Sequence, residues 1–228
     1  MTVFKAAAIL LLCSALCVHV ECQIYNNQGA WLTKIPEDIL LNVTQIILAS
    51  NSITNIGPNS FSKFTELTHL HLGFNKIRTI NDAAFEALVK LKILILHINV
   101  LEEIPVLPIS TLERLDLGWN KIRTINDGTF EALVNLKELN LHGNQLEEIP
   151  VLSISTLEHL NLAWNKIRTI NDGTFEALVN LKELNLHGNH LEEIPVLSIS
   201  TLERLDLRDN KISTIHDGAF EALVNLKE

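Results

Sequence analysis

The chain has 228 residues, 47% of them hydrophobic and 20% charged, and carries a formal net charge of -9. Enough apolar material is present to bury a sizeable core, which excludes an intrinsically disordered chain. The acidic balance excludes nucleic acid as a partner, because the phosphate backbone is held mainly by clustered Lys and Arg.

At the N-terminus, Lys5 precedes an apolar run from Ala6 to Leu12 that continues through Ala15 to Val18. A basic residue ahead of a short apolar stretch predicts a secretory signal peptide over residues 1–22, cleaved between Cys17 and Cys22. The run falls short of the ~20 apolar residues of a membrane span, and no later segment comes closer, so no span is expected. Cys13, Cys17 and Cys22 are the only cysteines. After cleavage at most Cys22 remains, and a disulfide framework is not expected despite an oxidising destination. Asn42, Val43 and Thr44 form the one N-glycosylation sequon, which assigns Asn42 as a glycan acceptor. Residues 23–42 read as a cap-like segment.

From residue 43 to 228 the chain repeats. The pattern LxxLxLxxN begins at Val43, Leu67, Leu91, Leu112, Leu136, Leu157, Leu181 and Leu202, and an incomplete ninth copy begins at Leu226. From Leu67 on the starts are separated alternately by 24 and 21 residues, so two coils form one larger unit. Residues 112–155 and 157–200 differ only at Arg114/His159, Asp116/Asn161, Gly118/Ala163 and Gln145/His190. That agreement marks a duplication.

In each copy leucines alternate with polar residues, as Leu139 and Leu141 do with Glu138, Asn140 and His142. A short strand with leucines turned inward and polar groups outward follows, and neighbouring coils pair into a parallel sheet. The recurring Asn51, Asn75, Asn99, Asn120, Asn144, Asn165, Asn189 and Asn210 stand where the chain turns inward. There a buried amide can bond backbone groups freed by the turn. Phe61, Phe85, Phe130, Phe175 and Phe220 recur in the longer coils and are expected to stack as a spine on the convex side. In the shorter coils an IPVL segment takes that place, with proline favouring an extended path.

These motifs resemble the extracellular leucine-rich repeat superfamily over the chain from about Trp31 onward. The opening from Thr33 to Phe61, TKIPEDILLNVTQIILASNSITNIGPNSF, is similar to the first coils of small leucine-rich proteoglycans and of receptor ectodomains. The alternation of long and short coils is similar to the proteoglycans, although the N-terminal cysteine cluster and any Ser-Gly dipeptide are absent. The fold so implied is an α/β-type solenoid, a horseshoe with a concave parallel β-sheet and a mostly irregular or short-helical convex side. The final LVNLKE stops in mid-strand, which a solenoid needing a terminal cap would not be expected to do, so a fragment is inferred.

On a parallel sheet each repeat position makes a row. Gln45, His69, Ile93, Arg114, Glu138, His159, Glu183 and Arg204 form one, with alternating charge in its second half. Arg78, Glu102, Arg123, Glu147, Arg168 and Glu192 form a second alternating ladder along the edge. Both read as structural and leave no basic stripe. His69, His71, His97, His142, His159 and His187 are expected on the concave face. Same-row histidines recur on every second strand, about 10 Å apart, too far to share a metal. A pH-sensitive face is the better use of them.

Phe74, Trp119 and Trp164 share one position in successive long coils and are the expected anchors for a partner. Against that stands the possibility that the rings only fold over the strand edge and cover the adjacent turn. His142, His187, Asp116, Asn140 and Asn161 are expected to support them by hydrogen bonding. No phosphate-cradling loop, thiol nucleophile or Ser-His-Asp arrangement stands out from the repeat, so neither catalysis nor a cofactor is expected. The reading is a secreted binding protein that recognises an extracellular protein or glycan with its concave face. The alternatives are the N-terminal part of a membrane receptor or adhesion ectodomain, and a non-catalytic subunit of a secreted enzyme complex.

Overall fold

The computed structural model describes residues 24–227 except 127, 150 and 172. The expected signal segment and its cysteines lie outside the described residues. In chain order the strands are β1 Ile24–Asn26, β2 Gln45–Ile47, β3 Asn55–Ile56, β4 His69–His71, β5 Thr79–Ile80, β6 Ile93–Ile95, β7 Arg114–Asp116, β8 Glu138–Asn140, β9 His159–Asn161, β10 Glu183–Asn185, β11 Glu193–Ile194, β12 Arg204–Asp206 and β13 Thr214–Ile215. Nine of them form one parallel sheet, in the order β1-β2-β4-β6-β7-β8-β9-β10-β12. The segment expected as a cap therefore supplies the sheet's first strand, with Tyr25 opposite Ile46.

Register follows the repeat. Arg114 stands opposite Glu138, Leu115 opposite Leu139 and Asp116 opposite Asn140, and each later pair of coils repeats the relation. The central residue of each strand turns inward, and Leu70, Leu94, Leu115, Leu139, Leu160 and Leu184 are buried. Each such side chain stabilises the fold by about 1.5–3 kcal/mol relative to an exposed one. They join one continuous core with the leucines and isoleucines of the following turns.

Two short pairs, β3 with β5 and β11 with β13, form beyond the turn. The convex side is otherwise irregular; among the described residues its one helical turn is a 3-10 turn at Asp82–Ala84, capped by Asn81. The expected phenylalanine spine is continuous only at its start. Phe61 and Phe85, on adjacent coils, stack at 6.0 Å between ring centroids. Phe130 and Phe175 are buried, but a short coil separates each from the previous phenylalanine, and its place is filled by residues such as Leu107 and Ile109. Phe220, on the last complete coil, is 39% exposed.

The repeated asparagines tie the coils together. The Asn120 carboxamide donates to the carbonyls of Leu96, Leu117 and Gly118 at 3.1, 3.0 and 3.3 Å and accepts from the Leu101 amide at 3.1 Å. Asn75, Asn99, Asn144, Asn165 and Asn189 make the same set of bonds. Backbone polar groups freed by the turn are thus paired inside the core, where leaving them bare costs about 1–3 kcal/mol each.

Candidate functional site

The strand ends and turns its chain inward through one residue with left-handed backbone. Ser50, Phe74, Ile98, Trp119, Trp164 and Asp209 have φ between 51 and 57°, and Gly143 and Gly188 have 68 and 67°. Side chains there are uncommon, because Cβ crowds the backbone. The conformation lets the next residue, the asparagine, enter the core while the residue itself stays on the rim. Phe74, Trp119 and Trp164 accordingly remain 48, 52 and 52% exposed.

Each aromatic ring has one covered side. Phe74 meets the edge of His97, Trp119 that of His142 and Trp164 that of His187, at centroid distances of 5.1, 5.1 and 4.9 Å. The indoles also lie over the glycine of the next coil, Trp119 on Gly143 and Trp164 on Gly188. The rings therefore cover the adjacent turn, and yet about half of each stays open to solvent. His97, His142 and His187 stand just beyond their strands, whereas His69, His71 and His159 lie within β4 and β9; all six are partly exposed on the concave side.

Asp116 is the hub of the polar surface and is itself buried. Its carboxylate accepts from the Gly118 amide at 3.0 Å and the Asn140 carboxamide at 3.0 Å, and meets His97 Nδ1 at 3.1 Å. His71 packs edge-on against His97, 5.5 Å between centroids. Burial, then the neighbouring His97, lowers the pKa of His71 from the ordinary value. Burial lowers His142 as well, against the opposing pull of Asp116. His97 Nε2 is buried with no hydrogen-bond partner among the described residues.

The differences between the duplicated units act together. A Cβ at Gly118 would stand 2.8 Å from His142 Nδ1, so glycine is what admits that imidazole. Alanine occupies the equivalent position 163, and His187 instead directs Nδ1 to the Arg208 carbonyl at 3.1 Å. With Asn161 in place of Asp116, the side-chain oxygen still accepts the amide two residues on, Ala163, at 3.1 Å, as Asn185 does for His187.

The first charge row forms ion pairs, Arg114 with Glu138 at 3.3 Å and Arg204 with Glu183 at 2.9 Å, and sets His159 Nδ1 3.2 Å from the Glu183 carboxylate. The second expected ladder, Arg78 to Glu192, does not. Its members are exposed and none lies within pairing distance of another. A different row carries the second ladder, just ahead of the strands, pairing Lys92 with Glu113, Glu158 with Lys182 and Glu203 with Lys227. The alternation of Lys and Glu there was available in the sequence.

Two shallow hollows of about 380 and 430 Å³ lie over the second half of the sheet, lined by the charge row and by Asn140, Asn161, Asn185 and Asp206. Among the described residues no group of three His, Cys, Asp or Glu is placed to hold a metal ion, and no helix is long and apolar enough to cross a membrane. Asn42 is exposed.

The Leucine rich repeat family model matches residues 42–101, 109–150 and 151–191, more than half of the chain, and a second Leucine Rich Repeat model matches 201–223. A segment is 30% identical over 90 residues to Toll-like receptor 3 of Bos taurus, a match that takes in 37% of this chain and 10% of that protein. The chain thus corresponds to a small part of that relative's length.

Proposed function

Because the chain belongs to the leucine-rich repeat family, we propose that it is a secreted recognition module whose concave sheet and rim bind an extracellular protein. One observation carries this reading: three aromatic rings, Phe74, Trp119 and Trp164, are held in strained backbone with one side fixed and the other open. Exposed rigid aromatics beside polar groups are the usual anchors of interfaces. Asn161, on the hollowed part of the sheet, presents its amide to a ligand. His142 and His187 brace the indoles. Asp116 acts through Asn140 and His97, because its own oxygens are already engaged.

The test is a pull-down with the full chain as bait, beside a Trp119→Ala, Trp164→Ala variant with unchanged circular dichroism. A partner captured by the parent and lost by the variant supports the reading; a partner held equally by both moves the site elsewhere. A receptor ectodomain is the second reading, favoured by the likeness to a Toll-like receptor segment. Full-length transcript encoding a membrane anchor would establish it. Secretion and use of Asn42 are tested together: expressed in secreting cells, the chain should appear in the medium and shift in gel mobility on Asn42→Gln.

A further inference from the structure

The aromatic row has a companion. Lys76, Lys121 and Lys166 each follow an aromatic rim residue by two positions, and Lys211 stands in the same place on the next long coil. All four are exposed. Among the described residues none of them forms an ion pair, whereas Lys90, Lys92, Lys182 and Lys227 each hold a glutamate. Between them in the row come Val100, Gln145 and His190, none of them a carboxylate. On the same intervening coils, two residues further on, stand the exposed Glu102, Glu147 and Glu192.

The rim therefore offers one aromatic ring and an exposed lysine on every second coil, with Arg78, Arg123 or Arg168 two residues beyond the lysine, about 10 Å apart by twice the strand spacing, and an acidic group beside each coil between. We propose that it binds a linear β-linked polysaccharide in which a uronic acid alternates with an uncharged N-acetylhexosamine. Such a chain presents one carboxylate and one apolar sugar face per disaccharide, a length that matches two coils. A polymer charged on every unit would set an anion beside Glu102, Glu147 and Glu192. An extended acidic peptide falls out of step, because its same-side residues recur about every 7 Å. This inference rests on the aromatic rim being a binding surface, and adds the lysines and a ligand class to it.

Hyaluronan oligosaccharides from one to five disaccharides, titrated calorimetrically into the full chain at low salt, provide the test. Affinity is expected to climb with each disaccharide until three aromatic–lysine pairs are covered and then to level off. Trp119→Ala should weaken binding about tenfold or more. Lys121→Gln with Lys166→Gln, exposed changes that leave the core intact, should weaken it and flatten its salt dependence. Absence of hyaluronan binding overturns the proposal, as does binding unchanged in the lysine variant or tighter binding of a fully sulfated oligosaccharide of equal length. If the double tryptophan variant loses a captured protein while the parent ignores hyaluronan, this inference falls and the recognition function stands. If hyaluronan is bound with the expected steps while no protein is captured, the reverse holds.

Discussion

The indole of Trp119 rests on Gly143 of the following coil, so closely that a Cβ on that glycine would stand 2.7 Å from the ring; Trp164 and Gly188 repeat the relation at 3.0 Å. Both glycines have positive φ. Gly143→Ala therefore combines left-handed strain of about 1–2 kcal/mol with displacement of a ring that cannot move by its far end alone. A stability loss of about 1–3 kcal/mol is expected, with a red-shifted tryptophan emission as the indole swings into water. Gly188→Ala, with more room, should cost less. Urea unfolding followed by fluorescence checks both, and an unmoved emission maximum would mean that the ring does not rest on the glycine.

That the rings fold over the adjacent turn was one of the two readings the sequence left open, but the particular glycine each indole rests on was not legible in it. The repeat tells which residues share a row and which face they occupy, so the sheet, its register and the buried Leu70 to Leu184 row could be read from letters alone. It does not tell which way a rim side chain leans. Trp119 and Gly143 belong to different coils, and only the left-handed backbone at both brings them together. Asp116 misled for a related reason: placed on a polar row, it looked available, but Gly118 admits His142 and the aspartate closes over with Asn140 and His97. The Arg78 to Glu192 ladder shows the converse limit, since equal register alone does not bring its exposed members within pairing distance, whereas the Lys92 to Lys227 row just ahead of the strands does pair.

Asn144 is the clearest stability probe. Its amide donates to Leu117, Leu141 and His142 carbonyls and its oxygen accepts from the Ile122 amide. Asn144→Ala strands several buried backbone groups at once and should cost about 3 kcal/mol or more. Asn210, in the partly buried last complete coil, should cost clearly less on the same change. Equal losses in denaturant unfolding would contradict a core-bonding role.

Glu183 should matter little to stability despite bridging two partners. It pairs with both His159 and Arg204, but its side chain is 42% exposed and that of Arg204 is 62% exposed. Exposed pairs of this kind contribute about 0–1 kcal/mol. Glu183→Gln is expected to shift the urea midpoint only marginally, and the shift should vanish at high salt, where the charges are screened. A large, salt-insensitive loss would show the row to be a cooperative network.

Acid should loosen the fold through His71 and His142. Burial holds both below the ordinary histidine value of 6.5, so in the window beneath that value the unfolded chain binds more protons than the folded one. Stability then rises with pH across the window: it is fully present above about 6.5 and is lost as pH falls through it toward the folded values. Carboxylates held low by lysine and arginine partners, Glu158, Glu203 and Asp206, add their own loss only below their ordinary 4.5 and 3.8. Between about pH 6.5 and 4.5 the slope specific to these two groups is therefore isolated by comparing urea midpoints of the parent and a His71→Gln, His142→Gln variant. The parent should lose stability more steeply across that interval. Parallel curves would mean that the two imidazoles are as easily protonated in the folded chain as in the unfolded one, and that the concave face does not sense acid through them.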